Sequence, residues 1–343
     1  MRAYRVAYDG RPFHGFQRQP DVPTVSDAIL DALVSLELLA SPDDPHSTAA
    51  SDESDAPPAA ETADAPSASS ASRPTPSGYA AAGRTDAGVS AVAQTVAFDA
   101  PDWLAPRPLN AHLPDAVHVW AAADVPDDFH ATHDATRRRY RYHLVGPHGS
   151  LDPTAERPTG ETTPESGLSL DRARAAAEAV SGTHDFADLT PDETGTERTL
   201  SCSVDPVGGI SRADAVTSGD TATRGSDTTG GEAGAVDGLV LRVAADGFPR
   251  QLVRRLATVV RGVATGETTL DRVRRLLDPE PVATHEGVPP APPEPLVLTG
   301  VDYPDVAFER DDYAVADARA AFETRRRRSR AVAHVAETVL DGL

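Results

Sequence analysis

The feature that most limits the fold is a long stretch that cannot contribute to a core. From Ser41 to Ser77 the sequence is almost entirely Ala, Ser, Pro, Thr and acidic residues, with no Leu, Ile, Val, Phe, Tyr or Trp. Such a segment cannot bury enough apolar surface to offset the entropy of ordering it. Two more polar stretches, 147–167 and 208–238, are similar in character. We therefore predict a disordered acidic insertion at 41–77 and low-complexity insertions at 147–167 and 208–238.

The charge balance indicates that the protein functions at high salt concentration. The 343 residues include 53 Asp and Glu against 32 Lys and Arg, a net charge of −21, and there is no lysine, so every strong cation is an arginine. This composition resembles that of proteins from salt-accumulating halophiles, in which high net charge maintains solubility. The single cysteine, Cys202, excludes an intramolecular disulfide and a cysteine-cluster zinc site, and suits a reducing compartment. No apolar run approaches the roughly 18–20 residues that span a bilayer, so we predict a cytoplasmic protein that makes no membrane contact.

The segments between the insertions alternate between strand and helix patterns. Residues 137–145 show a period of two, whereas the segment after Thr24 has helical spacing, with Asp27 in a capping-box position. Pro249 is predicted in the first turn of a helix whose apolar face ends near Val263. The order is strand, helix, strand, strand, then strand, helix, strand, strand, helix, helix, strand. Such an order is typical of α+β sandwiches of the ferredoxin-like kind.

We therefore predict two tandem ferredoxin-like (RRM-like) domains with antiparallel sheets. The first covers residues 1–123 and the second 124–303. A polar tail, 304–343, contains a helix candidate that carries Arg325 to Arg328.

The stretch from Gly83 to Ser90 is the strongest candidate for chemistry. It places a cation, Arg84, and a carboxylate, Asp86, two residues apart between two glycines, just before a strand-like run. Glycine allows a positive φ and a close approach of backbone to a ligand. On spacing alone, an ordinary Asp/Gly turn is the more frequent explanation. A metal site is not indicated, because the histidines lack ligand spacing and have no cysteine partners: His112, His130, His133, His143 and His184.

Five segments together resemble the TruA family of tRNA pseudouridine synthases, and they occur in that family's order. The first is the loop 8–20, with its Tyr-Asp-Gly and Phe-His-Gly-Phe-Gln-Arg-Gln, and the second is 83–89, which looks like the catalytic loop. The third joins Phe-His-Ala at 129–131 to Arg-Arg-Tyr-Arg-Tyr at 138–142. The fourth is Gly247-Phe248 with residues 252–255, and the fifth is 291–298.

This resemblance implies a fold and a reaction. The family has two ferredoxin-like domains whose sheets join around a central cleft, usually as a homodimer. It isomerises uridine in the anticodon stem-loop of tRNA, at positions 38, 39 or 40. The N1–C1′ bond breaks, the uracil turns, and C5 joins C1′. Nothing is gained or lost, so no cofactor is expected.

The resemblance also implies roles for single residues. Asp86 would be the catalytic carboxylate, acting either as a nucleophile at C1′ or as a base on the ribose. Arg254 would be its partner, Arg84 would fill the space of the flipped nucleotide or hold its phosphate, Tyr140 would lie against the uracil, and Leu296 would close the apolar wall. Without the resemblance, a solvated helix position explains Arg254 equally well, and a core position is the more frequent explanation of Tyr140. Leu296 can be a buried strand residue and part of the apolar wall at once. Further contacts to the substrate are expected from Thr85, Arg138, Arg139, Arg141 and Arg250.

Some positions depart from the family pattern. Ser90 stands where histidine is common, Pro295 replaces a usual glycine, and Pro249 follows Phe248 in a motif that lacks its usual methionine. Two other function classes remain open. One is a non-catalytic tandem RNA-binding protein, and the other is a carboxylate-dependent hydrolase of nucleosides or glycosides, which would need a second acidic residue beside Asp86.

Overall fold

The computed structural model describes residues 1–39, 74–146, 167–207, 236, 238–278 and 287–342. The predicted insertions at 41–77, 147–167 and 208–238 lie largely outside these ranges. Within them the chain is a mixed α+β protein whose strands pair mostly antiparallel. It divides into two compact units, one made of Met1–Arg84, Thr95–Thr132 and Val306–Leu343 and the other of Thr85–Gln94 and His133–Asp305.

The first unit is built from β1 (Arg2–Tyr8), α1 (Val25–Ser35), β2 (Ala80–Ala81), α2 (Pro106–Asn110), β4 (Val117–Asp124), β10 (Glu309–Arg310), α6 (Asp312–Asp341) and the end of β3 (Ser90–Phe98). Its strand order is β10-β4-β1-β3-β2, with β4 antiparallel to β1. In its core Tyr4 stacks on Phe98, with ring centroids 5.1 Å apart, and donates a hydrogen bond to the Leu104 carbonyl. The predicted cap of α1 is confirmed, since Thr24 accepts a hydrogen bond from the Asp27 amide.

The second unit contains β5 (Arg137–Val145), α3 (Leu170–Ala179), β6 (Gly182–Asp185), a 3₁₀ turn (Ala187–Leu189), β7 (Glu197–Pro206), β8 (Gly238–Ala245), α4 (Leu252–Thr265), α5 (Leu270–Arg275) and β9 (Leu296–Asp302). Its strand order is β9-β5-β8-β7-β6, and the first residues of β3 pair with β9 in parallel. Strand β5 alternates as predicted, because Tyr140, Tyr142 and Leu144 are buried while the residues between them are only partly covered.

Helix α4 begins later than the sequence predicts. It starts at Leu252, three residues after Pro249, because Gln251 adopts a left-handed conformation with φ of 60°. The intervening Arg250 is held from outside the helix, since its amide donates to Asp192 at 2.8 Å and its carbonyl accepts from Thr190 at 3.0 Å. Proline therefore precedes the helix instead of occupying its first turn.

In the described part of the chain, no helix is both long enough and apolar enough to cross a membrane.

Candidate active site

The loop that carries Asp86 is shaped by a glycine that another residue type would strain. The Val89 amide donates to the Asp86 carbonyl at 3.1 Å, which closes a turn. Gly88 in this turn has φ of +81°, a left-handed conformation that L-residues avoid. A Cβ on Gly88 would lie only 3.1 Å from Cγ of Pro293. The backbone of this turn thus packs directly against residues 293–294, and Thr85 beside it is buried.

Asp86 and Arg254 form an ion pair. Nη1 of Arg254 donates to Oδ2 of Asp86 at 2.8 Å, although the two residues are 168 positions apart in the sequence. The Arg254 side chain is 15% exposed and that of Asp86 is 41% exposed. The carboxylate therefore faces solvent on one side while a fixed cation holds it on the other. A partly exposed yet oriented carboxylate can act on a substrate as a nucleophile or as a base.

Arg254 is itself held at two points. Its Nε donates to the Ala291 carbonyl at 2.7 Å, and its own carbonyl accepts from the Ala291 amide at 3.1 Å. The guanidinium thus spans Asp86 and a backbone acceptor, as the forked geometry of arginine allows. Because Arg254 lies in the first turn of α4, the helix sets the position of this fork.

We call residues 288–295 the proline loop; their sequence is Val-Pro-Pro-Ala-Pro-Pro-Glu-Pro. Its prolines have no N–H to donate, so their polar backbone groups are carbonyls alone. Side chains from α4 and β5 donate to carbonyls of this loop. Arg255 donates to the Val288 carbonyl at 2.7 Å, Thr258 to that of Pro289 at 2.8 Å and Tyr142 to that of Pro292 at 2.9 Å. The proline loop thus connects the two sides of the ion pair, since it contacts Gly88 and binds Arg254.

Tyr140 lies on β5 close to the ion pair. Its ring packs edge-on against Phe248, with centroids 5.2 Å apart, and the side chain is buried. The pKa of Tyr140 is raised to about 12, mainly because the phenol is buried; the positive charge of Arg138 opposes this shift and the negative charge of Asp86 adds to it. The phenol therefore stays neutral at physiological pH. Phe248 is the sole aromatic ring recorded against Tyr140 among the described residues.

Leu296 opens strand β9 and is buried. It pairs with Tyr142 across the sheet, and its amide donates to the Pro293 carbonyl at 3.0 Å, so the proline loop leads directly into it. The neighbouring Pro295 accepts a hydrogen bond from the His143 amide at 3.1 Å. This contact uses the carbonyl of Pro295, so proline at this position satisfies its partner without a donor of its own. Ser90, the other departure in this region, pairs with Val297 at the start of β3.

The contacts that the structure gives for the other predicted arginines are to partners other than Asp86. Arg139 pairs with Asp302 at 2.5 Å, Arg250 pairs with Asp192, and Arg138 donates to the Asp246 carbonyl. Arg141 lies on β5, on the face opposite Tyr140. Arg84 belongs to the first unit, is exposed, and forms no ion pair with the residues that the structure describes.

Sequence reasoning missed the contacts that hold the site. The carboxylate of Asp192 organises the turn before α4, and its pKa is lowered mainly by the hydrogen bond from the Arg250 amide. No local pattern links residue 192 to residue 250. The sequence contains a weak signal for the contacts of the proline loop. Prolines lack an N–H, so the carbonyls of a proline run must accept hydrogen bonds from donors elsewhere in the chain. In the described ranges, no group of three or more His, Cys, Asp or Glu side chains is placed to hold a metal ion.

Comparisons with known proteins identify relatives over the full length. A family model described as tRNA pseudouridine synthase matches residues 176–304. A protein of Haloarcula marismortui named tRNA pseudouridine synthase A is 46% identical over 343 residues, which is 100% of both chains. Proteins with the same name from Natronomonas pharaonis and Thermococcus kodakarensis are 45% and 31% identical, and cover 98% and 92% of this chain and 97% and 90% of their own.

Proposed function

Because this chain belongs to the tRNA pseudouridine synthase A family, we propose that it isomerises uridine to pseudouridine in tRNA with Asp86 as the catalytic carboxylate. The observation that carries the assignment is the 2.8 Å ion pair between Asp86 and Arg254. It joins two of the family-like segments, 83–89 and 252–255, although they are far apart in the sequence.

The reaction exchanges one glycosidic bond for another. The N1–C1′ bond of the target uridine breaks, the uracil turns in the site, and C5 bonds to C1′ while a proton leaves C5 and N1 gains one. The product has the atoms of the substrate, so no cofactor is consumed. Asp86 either attacks C1′ or removes a proton from the ribose, and in both roles the guanidinium of Arg254, 2.8 Å from Oδ2, orients the carboxylate.

Recognition requires the uridine to leave its stack. Flipping a nucleotide out of a stem costs a few kcal/mol, which contacts to the vacated position and to the flipped base must offset. We assign the first role to Arg84, which is exposed, and contact with the uracil to Tyr140. Leu296 would contribute to the apolar wall, and Thr85, Arg138, Arg139, Arg141 and Arg250 to the RNA surface. Arg139 is paired with Asp302 and Arg250 with Asp192, so an RNA phosphate that binds either arginine would have to displace the carboxylate or bind beside it.

The finer features of the family are part of the same proposal. The two strand orders, β4-β1-β3-β2 and β9-β5-β8-β7, support two ferredoxin-like units. We propose the anticodon stem-loop, at positions 38, 39 or 40, as the substrate region, a homodimer as the assembly and the cytoplasm as the location. The junction of the two sheets around a central cleft stays a prediction.

The test is the isosteric variant Asp86→Asn, assayed in high salt on tRNA from a strain that lacks this protein. We expect pseudouridine formation to fall by about 10³-fold or more, while binding of the same tRNA is retained. Formation at the wild-type rate by Asp86→Asn would refute the role of Asp86. If the wild-type protein bound tRNA but formed no pseudouridine, it would be a non-catalytic RNA-binding protein.

A second measurement tests the substrate region. Pseudouridines would be mapped in tRNA from cells with and without the protein. Loss confined to positions 38–40 supports the proposal, whereas unchanged anticodon stem-loops would refute it.

A further inference from the structure

The middle of α6 reverses the charge of the rest of the chain. The protein has a net charge of −21, yet residues 324–336 contain five arginines and no Asp or Glu. The stretch before it, 311–323, has the opposite balance, with four acidic residues and one arginine. We call the five residues of the basic part the arginine cluster: Arg325, Arg326, Arg327, Arg328 and Arg330. The acidic composition of the chain does not account for this concentration of positive charge.

The helix is open to solvent at this point. Every residue from Arg326 through Leu340 is exposed. Successive residues of an α-helix point about 100° apart, so the run of arginines from 325 to 328 presents guanidinium groups on all sides of the helix. Arg326 and Arg327 both contact Glu323, whereas Arg328 forms no ion pair within the described part of the chain. Charged groups are therefore available to a partner from several directions.

The loop after β1 adds a further cation to the cluster. Oδ2 of Asp9, which is buried, accepts from Arg325 at 3.0 Å and from Arg11 at 2.7 Å. The other amino group of Arg11 donates to the Ser329 hydroxyl at 3.3 Å. One carboxylate is thus shared by two guanidinium groups, so a positive charge remains. These contacts fix Arg11 beside the helix, one turn along from Arg325.

The placement of the arginines favours a polynucleotide as the partner. A helix that lies on a membrane keeps its basic residues on one face, whereas here some guanidinium groups would enter the lipid. Exposed pairs with protein carboxylates contribute little, especially at high salt. A guanidinium group donates two parallel hydrogen bonds to a phosphate at about 2.7–2.9 Å, which is within the Debye length of about 3 Å at 1 M salt. A polynucleotide repeats this phosphate at every nucleotide, so several arginines can be matched at once.

We propose that the arginine cluster of α6, together with Arg11, is a binding surface for the backbone phosphates of RNA. Contacts to phosphates position a nucleic acid without reading its sequence. The cluster therefore raises the affinity for the RNA and takes no part in the chemistry at Asp86. The identity of the RNA as tRNA rests on the proposed function, whereas the surface itself rests on the charge and exposure of the helix.

The first test measures equilibrium binding of tRNA to the full chain across a series of salt concentrations in which the protein stays folded. In Arg328→Gln we expect the dissociation constant to rise about threefold or more, and its logarithmic dependence on salt to fall by about one. Arg328→Lys keeps the charge and should keep the salt dependence of the wild type. The matched control is Arg319→Gln, which removes the same charge from an exposed position on the same helix outside the cluster and should bind like the wild type. Equal binding by Arg328→Gln and the wild type, or equal weakening in Arg319→Gln, would overturn the proposal.

A second test separates this surface from the proposed reaction. In single-turnover assays with increasing protein, Arg328→Gln should need a higher concentration for half-maximal pseudouridine formation and reach the wild-type rate at saturation. A lower rate at saturation would place Arg328 at the reacting nucleotide and contradict the proposal. If the wild type forms no pseudouridine, the proposed function fails, while the comparison of tRNA affinities still decides the role of the cluster. If Arg328→Gln instead loses binding to phosphatidylglycerol vesicles with its tRNA affinity unchanged, the cluster is a membrane surface and the proposal is wrong.

Discussion

Arg254 carries two contacts at once, and this double role makes it sensitive to a conservative change. Its Nη1 binds Asp86 and its Nε binds the Ala291 carbonyl. A lysine offers a single charged centre and cannot reproduce both contacts. We therefore expect Arg254→Lys to lower the rate constant of pseudouridine formation by about 10²-fold through misplacement of Asp86, with little change in tRNA affinity.

The comparison for this variant is Arg261→Lys. Arg261 lies on the same helix, is partly exposed and contacts Glu267 only at 3.7 Å. Single-turnover assays in high salt should show wild-type rates for it. If the rate of Arg254→Lys equals that of Arg261→Lys, the two simultaneous contacts of the Arg254 guanidinium are not needed for the reaction.

Tyr140 allows a prediction about alkaline pH. Burial raises its pKa to about 12, from the ordinary value near 10. Below pH 10 the phenol is protonated in both the folded and the unfolded chain, so its stabilising contribution is fully present there. Above pH 10 the unfolded chain ionises first, so the contribution is lost as the pH rises towards 12.

The free energy of unfolding should therefore decline between pH 10 and 12, and less steeply in Tyr140→Phe than in the wild type. Tyr142 and Tyr79, whose pKa values burial also raises to about 12, maintain part of the decline in this variant. Denaturant titrations at several pH values measure the free energy of unfolding of both proteins. Identical slopes for the two proteins would contradict the raised pKa of Tyr140.

At the scale of elements, Gly88 controls the contact between the Asp86 turn and the proline loop. Alanine at this position would carry the strain of φ +81° and would bring Cβ within 3.1 Å of Pro293. We expect Gly88→Ala to destabilise the fold by about 1–2 kcal/mol and to lower the rate further, since the turn must shift away from Pro293.

Gly182, at the start of β6, separates these two effects. It also has a left-handed φ, of +101°, but it lies on the edge strand of the second unit, away from β9. Gly182→Ala should lose a similar amount of stability in thermal unfolding while its rate below the melting temperature is unchanged. Equal losses of rate in the two variants would mean that strain alone, and not the proline-loop contact, explains Gly88→Ala.

Long elements with a clear period could be predicted from the sequence, and short ones could not. The alternation in 137–145 and the capped helix after Thr24 contain their own signals. Strands β2 and β10 have two residues each, which is too few for any period. The start of α4 was misplaced because a hydrogen bond from Arg250 to Asp192, 58 residues away, overrides the local preference of Pro249.

The candidate site divides in the same way. The glycine-flanked pattern around Asp86 predicted that this residue lies in a turn. Its pairing with Arg254 was predicted from the family resemblance and not from the spacing. The carbonyls of the proline loop could not be assigned to donors beforehand, because Tyr142 is 150 residues away from Pro292.

For the whole molecule, the net charge of −21 dominates behaviour in solution. At low salt the long-range field repels RNA and weakens the fold by self-repulsion, whereas at about 1 M salt the Debye length is only about 3 Å. Counterion release also adds little to RNA affinity at such salt. Short-range contacts from arginines and the shape of the tRNA must then carry recognition.

Removal of the acidic insertion should accordingly lower the salt concentration that the enzyme needs to stay folded and active. The predicted insertion ends at Ser77, but the Ser77 carbonyl accepts a hydrogen bond from the Asp99 amide at 2.8 Å, so the deletion should stop at residue 73. Residues 41–73 hold seven acidic residues and one arginine. We expect the deletion variant to retain activity in high salt and to remain folded and active at lower salt than the wild type, as measured by circular dichroism and turnover across a salt series. Loss of activity in high salt would show that the insertion has a direct role.

The proline loop has a further consequence for how the site is observed in motion. Prolines carry no exchangeable amide, so in the loop isotope uptake is confined to the amides of Val288, Ala291 and Glu294. Of these, Ala291 bonds to the Arg254 carbonyl. The deuterium uptake of the Ala291 amide therefore reports the opening and closing of its hydrogen bond to Arg254, the partner of Asp86. The adjacent prolines add no exchange signal of their own.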